Sequence, residues 1–362
     1  FERLRKVTLR ERRADFINAA LSIYDPHTGY FPPKDRSNFN MEMSGKLEGI
    51  GARLSPEDGN IKVVYIVPGS ACFKQGDLEV NDVIMKVAQG EEEEPVDVSQ
   101  MELDDAIQLI RGKKGTMVRL TVKKIDGSEM EIPIIRDVVE IEETFAKSAI
   151  LEREEDGQRV GYIDLPSFYF DFNDRNGRRC ATDIKREVEK LQAEGVDGIV
   201  IDLRDNLGGS LTDVVEMSGY FIEQGPIVQV RSKRGRPQVL SDSDPDVLYD
   251  GPLVIMVNSF SASASEIMAA ALQDYDRAIV VGTTSYGKGT VQRFVDLDNI
   301  LRGNQTDPLG DIKLTIQKFY RINGGATQHR GVVPDIILPD QYSQLEIGER
   351  EQEYSMPWDE IS

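Results

Sequence analysis

Histidine is nearly missing from this chain, with only His27 and His329 among 362 residues. A Ser-His-Asp hydrolase would have to use one of them. His27 lies in "YDPHTGYF" and His329 in "GGATQHRGVVPD", both loop contexts, so each reads as a hydrogen-bonded loop residue rather than a catalytic base. Cysteine is equally scarce. Cys72 and Cys180 stand far apart with no ligand set around them, which excludes a disulfide framework and a zinc site. No stretch approaches the roughly 18 apolar residues that span a bilayer, so no membrane span is expected in this chain. Cations are in deficit, 43 Lys and Arg against 63 Asp and Glu, for a formal charge of -20. That balance repels polyanions, so nucleic acid is not an expected partner. The chain starts at Phe1 with neither an initiator Met nor a signal-type apolar segment, and a trimmed piece is the expectation.

What is present is the composition of a globular protein, 40% hydrophobic and 29% charged, at a length that calls for two or three compact units. The first, over 1–45, reads helical because Phe16, Ala19, Ala20 and Ile23 recur at i, i+3, i+4 and i+7. From 46 to 137 the pattern is short apolar runs punctuated by glycine, as in "LEGIGARL" and "IKVVYIVPGSA", the mark of a small β-rich domain. One helix interrupts it, with Leu103, Ala106, Ile107 and Ile110 on one face and Gly112 as its stop signal. An Asp126-Gly127 turn marks a hairpin, and the acidic run 91–94 reads as a solvated loop. Over 138–340 strands alternate with helices. "DGIVIDLRDNLGGS" and "PLVIMVN" read as buried strands, the second leading into a Ser/Ala-rich helix, and the alternation signals an α/β core. The tail over 341–362 is acidic and weakly patterned, and reads as the start of a truncated region.

Residues 259–266 place Ser261, Ser263 and Ser265 between a buried strand and a helix start. There, unpaired amides and the positive dipole end stabilise developing negative charge, so a serine can attack a carbonyl while neighbouring amides hold the oxyanion. The same residues also suit plain helix caps, and this reading alone leaves the choice among the three open. Lys288, in "SYGKGTVQ" between Gly287 and Gly289, is a candidate base. A lysine accepts a proton only when neutral, so it needs a desolvated site without a salt-bridging carboxylate, and no acid lies between Arg277 and Asp296 in sequence. Gly208 and Gly209 at a strand end could offer a backbone N–H beside that of Ala264. Gln292 would share the side of Lys288 on an extended segment and could orient its amine. A rival is nucleotide binding, because "GTTSYGKGT" nearly spells a phosphate-binding loop. Gly289 stands where the Mg²⁺-binding hydroxyl belongs, however, and "TVQRFVDL" reads as a strand instead of a phosphate-facing helix.

Together "SASASEIMAAALQDYDRAIVVG", "YGKGTVQ", "DLRDNLGG", "GYIDLPSFY", "KLTIQKFYRINGGATQHRGVVPDI" and "LEGIGARL" resemble the C-terminal processing (tail-specific) peptidases, serine proteases of the Ser/Lys type. "YDPHTGYF" and "IGEREQEYSMPWD" are most similar to the Prc/Tsp-like branch. The resemblance implies an α/β (α+β) protease core with crotonase-like ββα character, a PDZ-like domain and an N-terminal helical segment. It places the nucleophile on Ser263, the base on Lys288, the lysine-positioning residue on Gln292 and the oxyanion donors on Ala264 and on Gly209 or its neighbour Gly208. The PDZ-like domain would hold a peptide carboxylate with amides around Gly49, Ile50 and Gly51, by strand addition. Asn81 stands where that domain often has Gly, tolerable because Asn accepts left-handed backbone. Leu207 departs from a position that is commonly Pro or Gly. The function implied is a cofactor-free endopeptidase acting on proteins with accessible, apolar C-terminal tails, with an adaptor as a further partner, in the bacterial periplasm or at the periplasmic face of the inner membrane. The alternative is a tail-binding scaffold that does not cleave.

Overall fold

The computed structural model describes residues 7–91, 94–174, 176–301 and 307–362. Within the acidic run, Glu92 and Glu93 lie outside the described residues. Gly45–Glu142 forms one compact unit, and the chain on either side of it forms the other.

The larger unit opens with α1 (Leu9–Leu21), β1 (Gly29–Phe31) and α2 (Pro33–Ser44). Helix α1 begins at Thr8, whose side chain accepts from the Glu11 amide. Ala14 is buried, but the expected stripe is not: Phe16 is 77% exposed, and Ile23, just past the helix end, is 60% exposed. A polar clamp anchors it instead, with Asn18 accepting from the Tyr30 amide and donating to the Tyr30 carbonyl.

The smaller unit runs β2 (Lys46–Gly49), β3 (Ala52–Glu57), β4 (Asn60–Ile66), α3 (Ala71–Gln75), β5 (Val83–Gln89), β6 (Val96–Asp97), α4 (Leu103–Ile110), β7 (Met117–Lys123), β8 (Glu129–Ile135) and β9 (Asp137–Glu140). Strands β3, β4, β5, β7 and β8 form an antiparallel sheet around a core that includes Ile61, Val63, Ile84, Leu120 and Ile132. The β7–β8 hairpin turns where Gly127 takes φ 87°. Asn81 adopts φ 79°, the left-handed backbone its position was expected to need. Helix α4 ends at Ile110 because Arg136 donates to the carbonyls of Ile110 and Leu109. Gly112 makes room for that arginine, since a Cβ there would lie 2.9 Å from its Cζ.

The larger unit continues with β10 (Lys147–Glu152), β11 (Arg159–Asp164), α5 (Cys180–Ala193), β12 (Gly198–Asp202), α6 (Leu211–Gly219), β13 (Gly225–Arg231), β14 (Gln238–Asp242), β15 (Leu253–Val257), α7 (Ala264–Asp274), β16 (Ile279–Gly282), β17 (Thr290–Asp296), β18 (Asp311–Tyr320) and β19 (Ile336–Ile337). One sheet has the order β10-β11-β12-β15-β16-β19, parallel except for β10. A second, antiparallel sheet is built on the long β18, which pairs with β1, β13 and β17. Helix α7 is buried from Ala264 to Leu272, which its run of alanines allows by admitting close neighbours on every side. The β1–β18 pairing joins the N-terminal segment to the core instead of leaving it a separate 1–45 body. The acidic tail also packs here: Trp358 donates to the Ala326 carbonyl, the Ile361 amide to Gly324, and Glu349 is fully buried.

Candidate active site

Strands β12 and β15 are parallel neighbours, and the chain leaving their carboxyl ends builds the site, as is usual in parallel α/β sheets. After β15 it turns through 258–263 into α7. Ser261 donates to the Leu203 carbonyl at 2.7 Å and accepts from the Asn258 amide, while Ser265 donates to the Asn206 carbonyl at 2.8 Å. Both are fully buried. Ser263 lies between them, partly exposed, at φ 56° and ψ −110°. A non-glycine residue in that region costs about 1–3 kcal/mol, and such outliers cluster at functional sites. A strained serine on a sharp strand-to-helix turn is also how a nucleophile elbow presents its hydroxyl.

Lys288 follows β16 in a loop fixed by Glu266, three residues after Ser263. One Glu266 oxygen accepts from the Ser285 hydroxyl (2.6 Å) and the Gly287 amide (2.7 Å). The other accepts from the Ser263 and Lys288 amides, both at 2.9 Å. A single fully buried carboxylate therefore ties the backbone of the serine to that of the lysine. Burial pushes its pKa up to about 7 against the pull of these donors. The same contacts remove the nucleotide reading: the loop amides a phosphate would need already face a carboxylate, the Gly289 amide donates to Gln328, and β17 starts at Thr290.

Lys288 keeps some exposed surface, yet its ammonium sits deep among protein atoms. Desolvation lowers its pKa to about 8; the charge of Lys313 adds to this, while Glu349, Glu266 and Asp25 oppose it. The two histidines are loop residues with partners, as their contexts implied: His27 Nε2 meets Glu349 Oε2 at 2.7 Å and His329 Nε2 the Ser355 hydroxyl at 2.9 Å. Gln292 donates to the hydroxyls of Thr290 (2.9 Å) and Thr315 (3.2 Å) rather than to Lys288, which leaves its carbonyl oxygen to accept.

The glycine turn after β12 abuts the serine. A Cβ on Gly208 would lie 2.8 Å from the Ser263 Cβ, and one on Gly209 would lie 2.2 Å from the Phe168 carbonyl oxygen. The Gly208 amide donates to Asn206 Oδ1 at 2.9 Å, so Gly208 is a spacer and not the available donor. Among the described residues the amides of Gly209 and Ala264 have no acceptor. In the smaller unit, Cys72 takes the Ile50 carbonyl and Val67 the Gly51 carbonyl. The Ile50 and Gly51 amides have no acceptor among the described residues.

Two residues of the site escaped the sequence reading. Glu266 had a visible signal, the S-x-x-E spacing of a capping box from Ser263. Asn206 had none. It is fully buried, donates to the Leu165 carbonyl, orients Gly208, and receives the Ala262 amide and the Ser265 hydroxyl on its own carbonyl.

The sequence and the fold have counterparts among known proteins. Residues 159–338 match the model of peptidase family S41, and residues 38–123 match the PDZ domain model. The tail-specific protease of Haemophilus influenzae is 40% identical over 349 residues, 96% of this chain and 48% of the relative. The carboxyl-terminal-processing protease of a Picosynechococcus species is 30% identical over 341 residues, 93% of this chain and 75% of the relative. The solved photosystem II D1 C-terminal processing protease shares the fold, at TM-score 0.51 and 24% identity over 92% of this chain and 84% of that one. The chain belongs to peptidase family S41, with a PDZ domain in its smaller unit. It spans about half the length of its Haemophilus relative.

Proposed function

We propose that this chain is the catalytic part of a serine endopeptidase that selects proteins by an apolar C-terminal tail. One observation carries the reading: of the three serines at the start of α7, Ser261 and Ser265 are buried in structural hydrogen bonds, while the strained Ser263 is tied through Glu266 to the loop of a desolvated lysine. Ser263 attacks the scissile carbonyl as Lys288 takes its proton, and the amides of Gly209 and Ala264 hold the oxyanion. Lys288 then donates to the leaving amine and, once neutral again, activates the water that hydrolyses the acyl-enzyme. Gln292, its amide nitrogen anchored on Thr290 and Thr315, has its carbonyl oxygen left to accept from the lysine and orient the amine. No metal or organic cofactor enters these steps.

The PDZ domain takes the substrate's C-terminus on the amides at Gly49, Ile50 and Gly51. Its partners are proteins with accessible tails, with an adaptor protein as a further candidate, and its place of action is the bacterial periplasm or the periplasmic face of the inner membrane. Among the described residues no helix is long and apolar enough to cross a membrane. The test is cleavage of a protein with an apolar tail by wild type, Ser263→Ala and Lys288→Ala. Both variants are expected to lose at least about 10³-fold in kcat/KM. Undiminished cleavage by either one defeats the assignment, and tail binding without turnover by wild type leaves the scaffold reading standing.

A further inference from the structure

Two stretches that the dyad does not use, "YDPHTGYF" and "IGEREQEYSMPWD", meet beside the loop that carries Lys288. Their contact is between His27 and Glu349, where Nε2 lies 2.7 Å from Oε2 and 3.0 Å from Oε1. A carboxylate only accepts, so this contact assigns the ring hydrogen to Nε2. Glu349 Oε1 also accepts from Gln328 Nε2 at 3.0 Å, and Gln328 Oε1 in turn accepts from the Gly289 amide at 2.7 Å. The Glu349 amide donates to the Tyr286 carbonyl at 2.9 Å. Backbone on both sides of Lys288 is therefore bonded, directly or through Gln328, to Glu349.

Both Glu349 and Gln328 are fully buried, a setting in which a polar group left without its partner is destabilising. The loop also packs closely on this side: a Cβ on Gly289 would lie 2.8 Å from the Gln328 backbone nitrogen, and one on Gly287 3.1 Å from the His329 carbonyl carbon. Glu266 holds the same loop from the serine side. His27 is fixed in its turn, since its amide donates to Asp25 Oδ1 at 2.9 Å. The same oxygen accepts from the Thr315 hydroxyl, on which Gln292 rests. The N-terminal turn over 25–28 thus reaches the base by two routes, through Thr315 to Gln292 and through Glu349 and Gln328 to the loop.

We propose that His27 is a positioning residue for the lysine base: through Glu349 and Gln328 it holds the backbone over 286–289 so that the amine of Lys288 meets Ser263. The inference rests on the Ser/Lys reading. Without the Nε2 hydrogen, Glu349 Oε2 loses its donor, and turning toward another one strains its bonds to Gln328 and Tyr286. Ser263 and Gly208 keep their own ties, to Glu266 and Asn206. The base is therefore the part that shifts, and the chemical step slows while substrate binding stays.

The experiment measures kcat and KM for cleavage of a tailed protein by the full chain, the rate of Ser263 labelling by a fluorophosphonate, and the melting temperature. Wild type is compared with His27→Gln, His27→Asn, His27→Phe and Gln328→Leu, with rates taken well below every melting temperature. The glutamine amide nitrogen stands as many bonds from Cα as histidine Nε2 and can donate to Glu349, whereas asparagine falls short and phenylalanine has no donor. His27→Asn and His27→Phe are expected to lose about 10- to 100-fold in kcat and in labelling rate, with KM within about 2-fold of wild type. Gln328→Leu removes the next link and is expected to lose at least as much. His27→Gln is expected to recover to within about 3-fold of wild type. A contact that only stabilises the fold lowers the melting temperature without slowing the folded enzyme. Wild-type kcat and labelling in folded His27→Asn or His27→Phe therefore overturn the inference, as does a change in KM alone or a His27→Gln enzyme as slow as His27→Asn. Should one His27 variant not fold, the other and Gln328→Leu read the same outcomes. An active Lys288→Ala enzyme overturns the dyad and the inference together.

Discussion

Ser263 combines two demands that a stability measurement can separate. Its backbone at φ 56° is a conformation that glycine adopts freely and alanine does not. Ser263→Gly is therefore expected to melt above Ser263→Ala, by the equivalent of about 1 kcal/mol, although neither variant is expected to cleave. Calorimetry on the two proteins checks this, and equal melting temperatures would remove the strain argument. At Glu266 all four groups facing the carboxylate are donors. Glu266→Gln sets an NH₂ against two of them, and its expected cost is about 1–3 kcal/mol of stability together with at least a 10²-fold loss in kcat. A variant with wild-type kcat would show that the Glu266 tie between serine and lysine is not used. The sequence made Ser263 a candidate but gave no means of ranking it against Ser261 and Ser265 apart from family resemblance. What separates them is contact with Leu203 and Asn206, some 60 residues away in the chain.

The elements that carry the site were legible where their pattern was local. The buried runs became β12 and β15, the Ser/Ala-rich segment became α7, and "TVQRFVDL" became β17. Pairings at long range were not legible. Strand β1 is three residues long, too short to read, yet it joins the first segment to β18. The apolar spacing read over the first segment marked a helix, α1, but not what holds it: the stripe is exposed and Asn18 makes the clamp. The turn after β12 is where an element-scale change is expected to be most damaging. Asn206→Ala removes the acceptor of the Gly208 amide and the donor to Leu165, at an expected cost of about 2–3 kcal/mol by denaturant melts, with a fall in kcat rather than a rise in KM as the Gly209 amide moves. Gly209→Ala must displace the backbone around Phe168, and a variant as active as wild type would exclude Gly209 from the oxyanion site.

At the scale of the whole molecule, the proposed capture of a C-terminal tail by the smaller unit can be tested apart from cleavage. If amides at Gly49–Gly51 hold a terminal carboxylate, Ser263→Ala protein should bind a fluorescent apolar peptide with a free C-terminus at least about 10-fold more tightly than the same peptide amidated, by anisotropy. Equal affinity for both would place recognition elsewhere. The formal charge of -20 acts in the same direction by disfavouring strongly acidic tails. The central claim, a serine activated by lysine, is tested most directly by covalent labelling of intact protein. A fluorophosphonate is expected to add one adduct, mapped to Ser263 by peptide mass spectrometry, at a rate rising through about pH 8 and at least about 10²-fold slower in Lys288→Ala. Labelling at another residue, or unchanged labelling without Lys288, would contradict it.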